Sequence, residues 1–330
     1  MKDINLSRNV QENYSLQHKH RFKKKAGNSK YYYQLVFDNN LDNDLKEISK
    51  LYNKNIPFKI FGMHTNLYIT EKGYNGLFID LDAKKSRIVF DKETETFRVT
   101  SNLIVSKLVN YTMKMGYDFS ALTGVPGMVG SGVTGNSGWT PTGKSFSDFV
   151  KEIILFDFYE NKEVKVIPDE KFFSERNSYI KEQNKEKNRF FVKEVILKAE
   201  NIGEEEVRKK YIEQINRREK SLRCGYKDGC AGSIWSNAHL KKETGKNFPM
   251  MLKENPSLKE NFNGARYGED GSMFFTTDET TTDKDVAKLF IHTINKLKEL
   301  YNVKPHKEVL ILDYEGEIDL DTFIEINSKS

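Results

Sequence analysis

The densest run of unusual chemistry in the chain is TGVPGMVGSGVTGNSG, Thr123–Gly138, which holds six glycines and Pro126. Glycine removes the Cβ barrier, so backbone amides there can approach a ligand closely or take positive φ. Successive amides so arranged form a nest suited to a diphosphate. The same composition also suits a loose loop or tight packing of chain segments. The run is neither GxGxxG after a strand nor GxxxxGK[ST], so the Rossmann and Walker mechanisms do not describe it. Three polar residues elsewhere have reactive side chains beside apolar stretches. Arg176 follows Phe172–Phe173, Ser233 lies between Ala231–Gly232 and Ile234–Trp235, and Glu308 opens the apolar run VLIL. Singly, each reads as an ordinary surface ion pair, turn hydroxyl or strand-edge charge.

These residues need elements to hold them. Tyr31–Phe37 is aromatic and apolar and reads as a strand. Leu41, Leu45, Ile48, Leu51 and Tyr52 have helical spacing over 41–53. Further strands are expected at 57–62, in LYIT and GLFIDL, at 97–100, 152–158, 163–167, 190–197, 272–276 and 308–312, and helices at 104–115, 203–220 and 284–300. The polar loop Gly62–Asn66 then sits at the carboxyl end of a strand in a strand–helix–strand unit, where α/β folds favour ligands.

The chain's 330 residues, 37% hydrophobic and 31% charged, allow two or three domains. No apolar run approaches the roughly 20 residues of a membrane helix, and the N-terminus has no signal-peptide core. No membrane association is expected, and a cytoplasmic location is the default. Cys224 and Cys230 are the only cysteines. They make neither a disulfide framework nor a zinc motif, and no metal is expected. The net charge of +5 is a mild excess. Its densest run, HKHRFKKK at His18–Lys25, is read as a solvated segment rather than a nucleic-acid arm.

Five segments, in order, resemble those of the UDP-N-acetylenolpyruvoylglucosamine reductase (MurB) family. FGMHTN (Phe61–Asn66) is similar to "LGxGSN", and GVPGMVGSGVTGNSG to "GIPG-x-VGGA-xx-N-x-GA". SERNSYI resembles "YRxSxF", CAGSIWSN "AGSxFxNP", and KEVLILD "PEVRxIG". The resemblance spans most of residues 60–313. It implies FAD, held by Gly62, Met63, His64, Thr65, Asn66 and Leu67, and by Gly124, Val125, Pro126, Gly127, Gly130, Ser131, Gly132, Asn136 and Gly138. It implies catalytic roles for Arg176, Ser233 and Glu308 around an enolpyruvyl group. NADPH or NADH reduces the flavin, hydride leaves flavin N5 for the vinyl carbon, and Ser233 gives a proton to its neighbour. RREKSL resembles "R-x-x-KQP", which makes Lys220 a substrate ligand, and Asn237 falls on the asparagine of "GSxFxN". Trp139 is expected to pack.

The implied architecture is a two-lobed flavin unit of the vanillyl-alcohol-oxidase/PCMH type, residues 30–200, followed by an α/β substrate domain, 201–315. A polar segment, 1–29, precedes them and a tail, 316–330, follows. The implied product is UDP-N-acetylmuramate, a cell-wall precursor. Departures keep two alternatives open. His64 stands where the family has glycine, Gly271 and Met273 stand at its histidine and asparagine positions, and EVLILD lacks an arginine. A paralogue reducing another unsaturated sugar nucleotide and a non-catalytic flavin- or nucleotide-sugar-binding scaffold both accommodate these changes.

Overall fold

The computed structural model describes residues 4–139, 142–221, 229–268 and 274–328. The chain divides into two compact units. One comprises Met1–Glu12, Tyr31–Met63 and Gly76–Arg218, the other Asn13–Lys30, His64–Asn75 and Glu219–Ser330.

The first unit is built on a five-stranded antiparallel sheet. Its order is Lys162–Val166, Val150–Asp157, Phe190–Leu197, Thr96–Thr100, Ile88–Asp91. The two central strands read VKEIILFD and FFVKEVIL, rich in the β-branched and aromatic residues that fit a pleated, buried surface. Their inner residues Ile153, Leu155, Val195 and Leu197 pack with Leu108 and Val109 of the helix Val105–Lys114. A second core forms where the helix Leu41–Asn53 lays Leu41, Leu45, Ile48 and Leu51 against Tyr33, Leu35, Leu77 and Ile79. Each such burial contributes about 1.5–3 kcal/mol. Phe156, Phe158 and Phe191 from the large sheet enter this same cluster, so the two lobes share apolar contacts. Phe58–Phe61 pairs in parallel with Tyr74–Leu81, which places Gly62 at the end of a strand, as its sequence implies.

The second unit packs around fully buried Trp235, with Phe275 and Phe290 edge-on to their neighbours. The Trp235 Nε1–H donates to Tyr267 Oη at 2.8 Å, and that oxygen meets Thr293 Oγ1, also at 2.8 Å. Both polar groups of this core are thereby satisfied. Leu67–Ile69 pairs in parallel with Leu310–Asp313, which pairs antiparallel with Gly316–Ile318. The helix Asp283–Tyr301 begins at a capping box, Thr282 with Asp285.

Three expectations change. The opening segment is neither a separate polar arm nor wholly solvated. Residues 13–30 belong to the second unit, and His20, Phe22 and Lys24 are buried at alternate positions. Lys24 Nζ lies 2.9 Å from Asp283 Oδ1 and 4.8 Å from the centre of the Tyr68 ring, and Tyr68 Oη donates to the same carboxylate oxygen at 2.6 Å. The basic run therefore turns one of its charges into an ion pair inside the fold. The closing residues are not a tail, since Gly316–Ile318 joins the sheet and the helix Leu320–Ser328 buries Phe323. Finally, the helix Glu204–Ser221 belongs to the first unit as far as Arg218, so the boundary near 200 moves some turns later.

Candidate active site

In the first unit, the glycine segment becomes a turn, a short helix Val129–Thr134 and a strand start at Gly138. Two of its glycines are packing positions. A Cβ on Gly130 would stand 2.6 Å from the Ser101 Cβ, and one on Gly132 would collide with the Phe146 ring. The amides of Val129 and Gly130 already donate to Leu103 O and Ser101 O, each at 2.8 Å, so the helix start is not an open nest. The amides of Gly124, Gly127 and Ser131 make no hydrogen bond to described residues. Gly124, Pro126 and Ser131 are exposed, whereas Val125 is buried. Gly62 joins this surface, since its Cβ would come within 3.3 Å of Met128 Sδ.

Asn136 links the glycine segment to Arg176. Its Nδ2 donates to Ser174 O at 2.9 Å, and its Oδ1 accepts from the Ser147 amide at 3.0 Å. Phe173–Ser174 and Asn177–Ser178 form a hairpin whose turn is Glu175–Arg176. Arg176 takes φ +57, the left-handed region that non-glycine residues avoid. Its Nη1 donates to Gly138 O at 2.8 Å, and its own carbonyl accepts from Lys181 Nζ at 3.0 Å. The guanidinium is thus fixed on one side by the glycine segment itself.

The second unit holds the other reactive residues together. The stretch around Trp235 runs antiparallel to Lys307. The Glu308 amide donates to Ile234 O, and the Ser236 amide to His306 O, both at 2.8 Å. Ser233 and Glu308 therefore stand on adjoining, hydrogen-bonded segments. Ser233 Oγ donates to Trp235 O at 2.7 Å, with Asn237 Nδ2 at 3.5 Å from the same hydroxyl. Asn237 Oδ1 accepts from the Phe248 amide at 2.9 Å, which fixes its amide orientation. Asn66 Nδ2 donates to Glu308 O at 2.9 Å, and Asn66 O accepts from the Leu310 amide at 3.1 Å. The Asn66 side chain thus anchors Glu308, and Leu67 lies in the ladder opposite Leu310. The amides of Thr65 and Asn66 make no hydrogen bond to described residues. His64 adopts φ +54, the conformation that accounts for glycine in the resembling motif.

Within the second unit the structure brings together Ser233, Asn237, Glu308, Thr65 and Asn66. Within the first it joins Arg176, Asn136 and Gly138. Lys220 is the penultimate residue of the helix Glu204–Ser221, but its side chain lies outside the described residues, as do Gly271, Met273, Cys224 and the Trp139 side chain. Sequence reasoning missed Arg218, buried against Gly124; a Cβ there would lie 2.8 Å from Arg218 Nε. The signal was the 3–4 spacing of Val207, Tyr211, Gln214 and Arg218, which puts them on one helix face. It also missed the His239–His306 pair, stacked with centroids 3.7 Å apart and rings 6° from parallel. Among the described residues no cluster suits a metal ion, and no helix is long and apolar enough to cross a membrane.

The residues present fit a phosphate-bearing flavin. Each unit offers unengaged backbone amides in a turn that includes a positive φ, the arrangement that cradles anions. At the head of the glycine segment, Thr123 Oγ1 is buried without a hydrogen-bond partner, a donor awaiting an acceptor. A family model described as an FAD binding domain matches residues 39–157. With the two-lobed first unit, that match gives the chain an FAD-binding domain followed by an α/β domain, the arrangement of an FAD-dependent oxidoreductase. UDP-N-acetylenolpyruvoylglucosamine reductase of Caldanaerobacter subterraneus subsp. tengcongensis is 26% identical over 267 residues, 80% of this chain and 82% of that protein. The Bacillus subtilis reductase is 28% identical over 286 residues, 84% of this chain and 87% of that one. The crystal structure of MurB from Thermus caldophilus shares the fold, with a TM-score of 0.68 at 17% identity over 92% of this chain and 98% of that chain. Over most of its length the chain is thus similar to the MurB reductases, as a distant relative.

Proposed function

We propose that this protein reduces UDP-N-acetylenolpyruvoylglucosamine to UDP-N-acetylmuramate at the expense of NADPH or NADH, with Ser233 as proton donor. The observation that carries the reading is the pairing of the Ser233 and Glu308 segments, with Asn237 on the serine hydroxyl and Asn66 on the Glu308 carbonyl. Bound FAD supplies the hydride chemistry.

The protein's own residues do the rest. Adding hydride to the vinyl group leaves negative charge on the carbon beside the substrate carboxylate, and that carbon needs one proton. An alcohol is a weak acid, so only a strongly basic partner takes its proton, and such a carbanion qualifies. Ser233 is held for this by its bond to Trp235 O, and rotation about its Cα–Cβ bond frees the hydrogen. Glu308 is half-buried and fixed through its backbone from two sides. Arg176 offers a planar fork suited to a carboxylate, the group that gathers charge as the carbanion forms. Thr65, Asn66 and the glycine segment carry the flavin, and Lys220 and Asn237 the substrate.

A second reading, a paralogue acting on another unsaturated sugar nucleotide, is favoured by His64, which places an imidazole where the motif has no side chain. One experiment separates the two. The protein is purified yellow, reduced anaerobically with NADPH, and mixed with UDP-N-acetylenolpyruvoylglucosamine. Rapid return of the flavin absorbance supports the proposal. Reduced flavin that persists with this substrate but reoxidises with another enolpyruvyl nucleotide selects the paralogue. Colourless protein that takes up no FAD removes both.

A further inference from the structure

The segments that carry Ser233 and Glu308 are joined a second time, by side chains. His306 precedes Glu308 by two positions, and its carbonyl accepts from the Ser236 amide at 2.8 Å. Ser236 caps the helix Asn237–Thr244, its hydroxyl accepting from the His239 amide at 3.3 Å. From that first turn the His239 ring lies flat on the His306 ring, with centroids 3.7 Å apart and planes 6° from parallel. His239 Nε2 stands 3.0 Å from Lys304 O, and a carbonyl only accepts, so Nε2 carries the hydrogen. The pair thus ties the helix that bears Asn237, beside the Ser233 hydroxyl, to the segment that leads into Glu308.

Stacked imidazoles respond to acid in two steps. One cationic ring over a neutral one is an attractive contact. Two cations at this separation repel, and even in a watery dielectric that weakens the stack roughly five- to tenfold. The other charges that face His306 are Glu243 on the helix, which favours a proton there, and Lys304, which opposes one. Lys304 Nζ is itself held by Asp321 at 2.8 Å. Desolvation, then the facing His239 ring, holds the His306 imidazole below its ordinary range. His306 is exposed and His239 half-buried, so protons reach the pair from solvent. A ring that resists a proton when folded gives stability that is present above the ordinary imidazole value of about 6.5 and lost as pH falls below it. We propose that His239 and His306 are positioning residues whose stacking holds the Ser233 and Glu308 segments together, and that this clamp loosens when both rings are protonated. What the clamp serves rests on the proposed function.

The test compares full-length wild type with His306→Phe, which keeps a flat ring that takes no proton, and His306→Arg, which keeps a permanent cation. His306→Gln repeats the neutral arm should phenylalanine disturb folding. Two quantities are followed from about pH 7.5 down to about pH 5. One is hydrogen-exchange protection of the Ser236 and Glu308 amides, corrected for the intrinsic pH dependence of exchange. The other is the rate at which UDP-N-acetylenolpyruvoylglucosamine reoxidises the photoreduced flavin. In wild type both should fall about five- to tenfold, and in His306→Phe by less than about twofold. In His306→Arg the first proton on His239 is already the second charge, so the fall should begin at higher pH. A stack that is merely structural would lower both quantities at every pH in the variants and leave the profile unmoved, which overturns the inference. Wild-type protection that stays flat with pH, or that falls while reoxidation does not, overturns it as well. Protection that behaves as expected in a protein that this substrate reoxidises at no pH leaves the clamp standing and removes the proposed function.

Discussion

Replacing Asn136 with alanine should loosen the link between the glycine segment and the Arg176 hairpin. Two hydrogen bonds go, from Nδ2 to Ser174 O at 2.9 Å and to Oδ1 from the Ser147 amide at 3.0 Å. Each is partly shielded from water, so each loss costs about 1 kcal/mol, nearer the lower than the upper end for a stranded partner. Asn136 also takes φ +42, a conformation asparagine tolerates better than alanine. Together these predict a loss of about 3 kcal/mol for Asn136→Ala. Asn136→Gly removes the same bonds but accepts the backbone conformation, so about 2 kcal/mol should remain. Urea unfolding followed by tryptophan fluorescence measures both, and the difference between the two variants isolates the backbone contribution. If both variants unfold within about 0.5 kcal/mol of wild type, a level typical of indifferent surface changes, Asn136 does not anchor the hairpin.

Three further outcomes follow from the second unit. Burial, followed by the nearby Lys24 charge, pushes the His20 imidazole down to about 3. Unfolded protein therefore binds a proton that the folded protein refuses, and His20 makes stability fall as pH drops from about 6.5 toward 3, at up to about 1.4 kcal/mol per pH unit. His20→Asn should flatten that slope in unfolding free energies measured at pH 5 and 7, and an unchanged slope would show that other groups set it. Lys24→Met leaves Asp283 buried without its cation and should cost about 3–5 kcal/mol; a melting temperature equal to wild type would contradict the pair's role. His64→Gly removes a side chain from φ +54 and should stabilise the protein by about 1 kcal/mol, whereas a destabilised variant would mean that the imidazole contributes packing that outweighs the strain.

The periodic elements were legible in the sequence. The helix Leu41–Asn53 and the strand Phe190–Leu197 form over the residues their patterns mark, because both bury continuous apolar faces. The basic run was misread for a physical reason. Charge density suggests solvation, yet alternation places His20, Phe22 and Lys24 on one side, and Asp283, far along the chain, neutralises the lysine. The closing helix carries Leu320, Phe323, Ile324 and Ile326, but it is short, and its burial of Phe323 depends on a core that only folding assembles. Ser233 and Glu308 were identifiable by resemblance alone, because the bonds that set them side by side are backbone bonds and carry no sequence signal. The glycine segment showed its importance in composition but not the division of labour within it. Gly130 and Gly132 admit neighbouring side chains, while the turn at Gly124 keeps its amide unengaged.

The central claim is that Ser233 delivers the proton once hydride has been transferred. Stopped-flow measurement on Ser233→Ala, loaded with FAD, separates the two half-reactions. Reduction by NADPH should proceed at the wild-type rate, and reoxidation by UDP-N-acetylenolpyruvoylglucosamine should slow by roughly 10²–10⁴-fold, the usual contribution of a general acid. Reoxidation of Ser233→Ala at the wild-type rate would contradict the account.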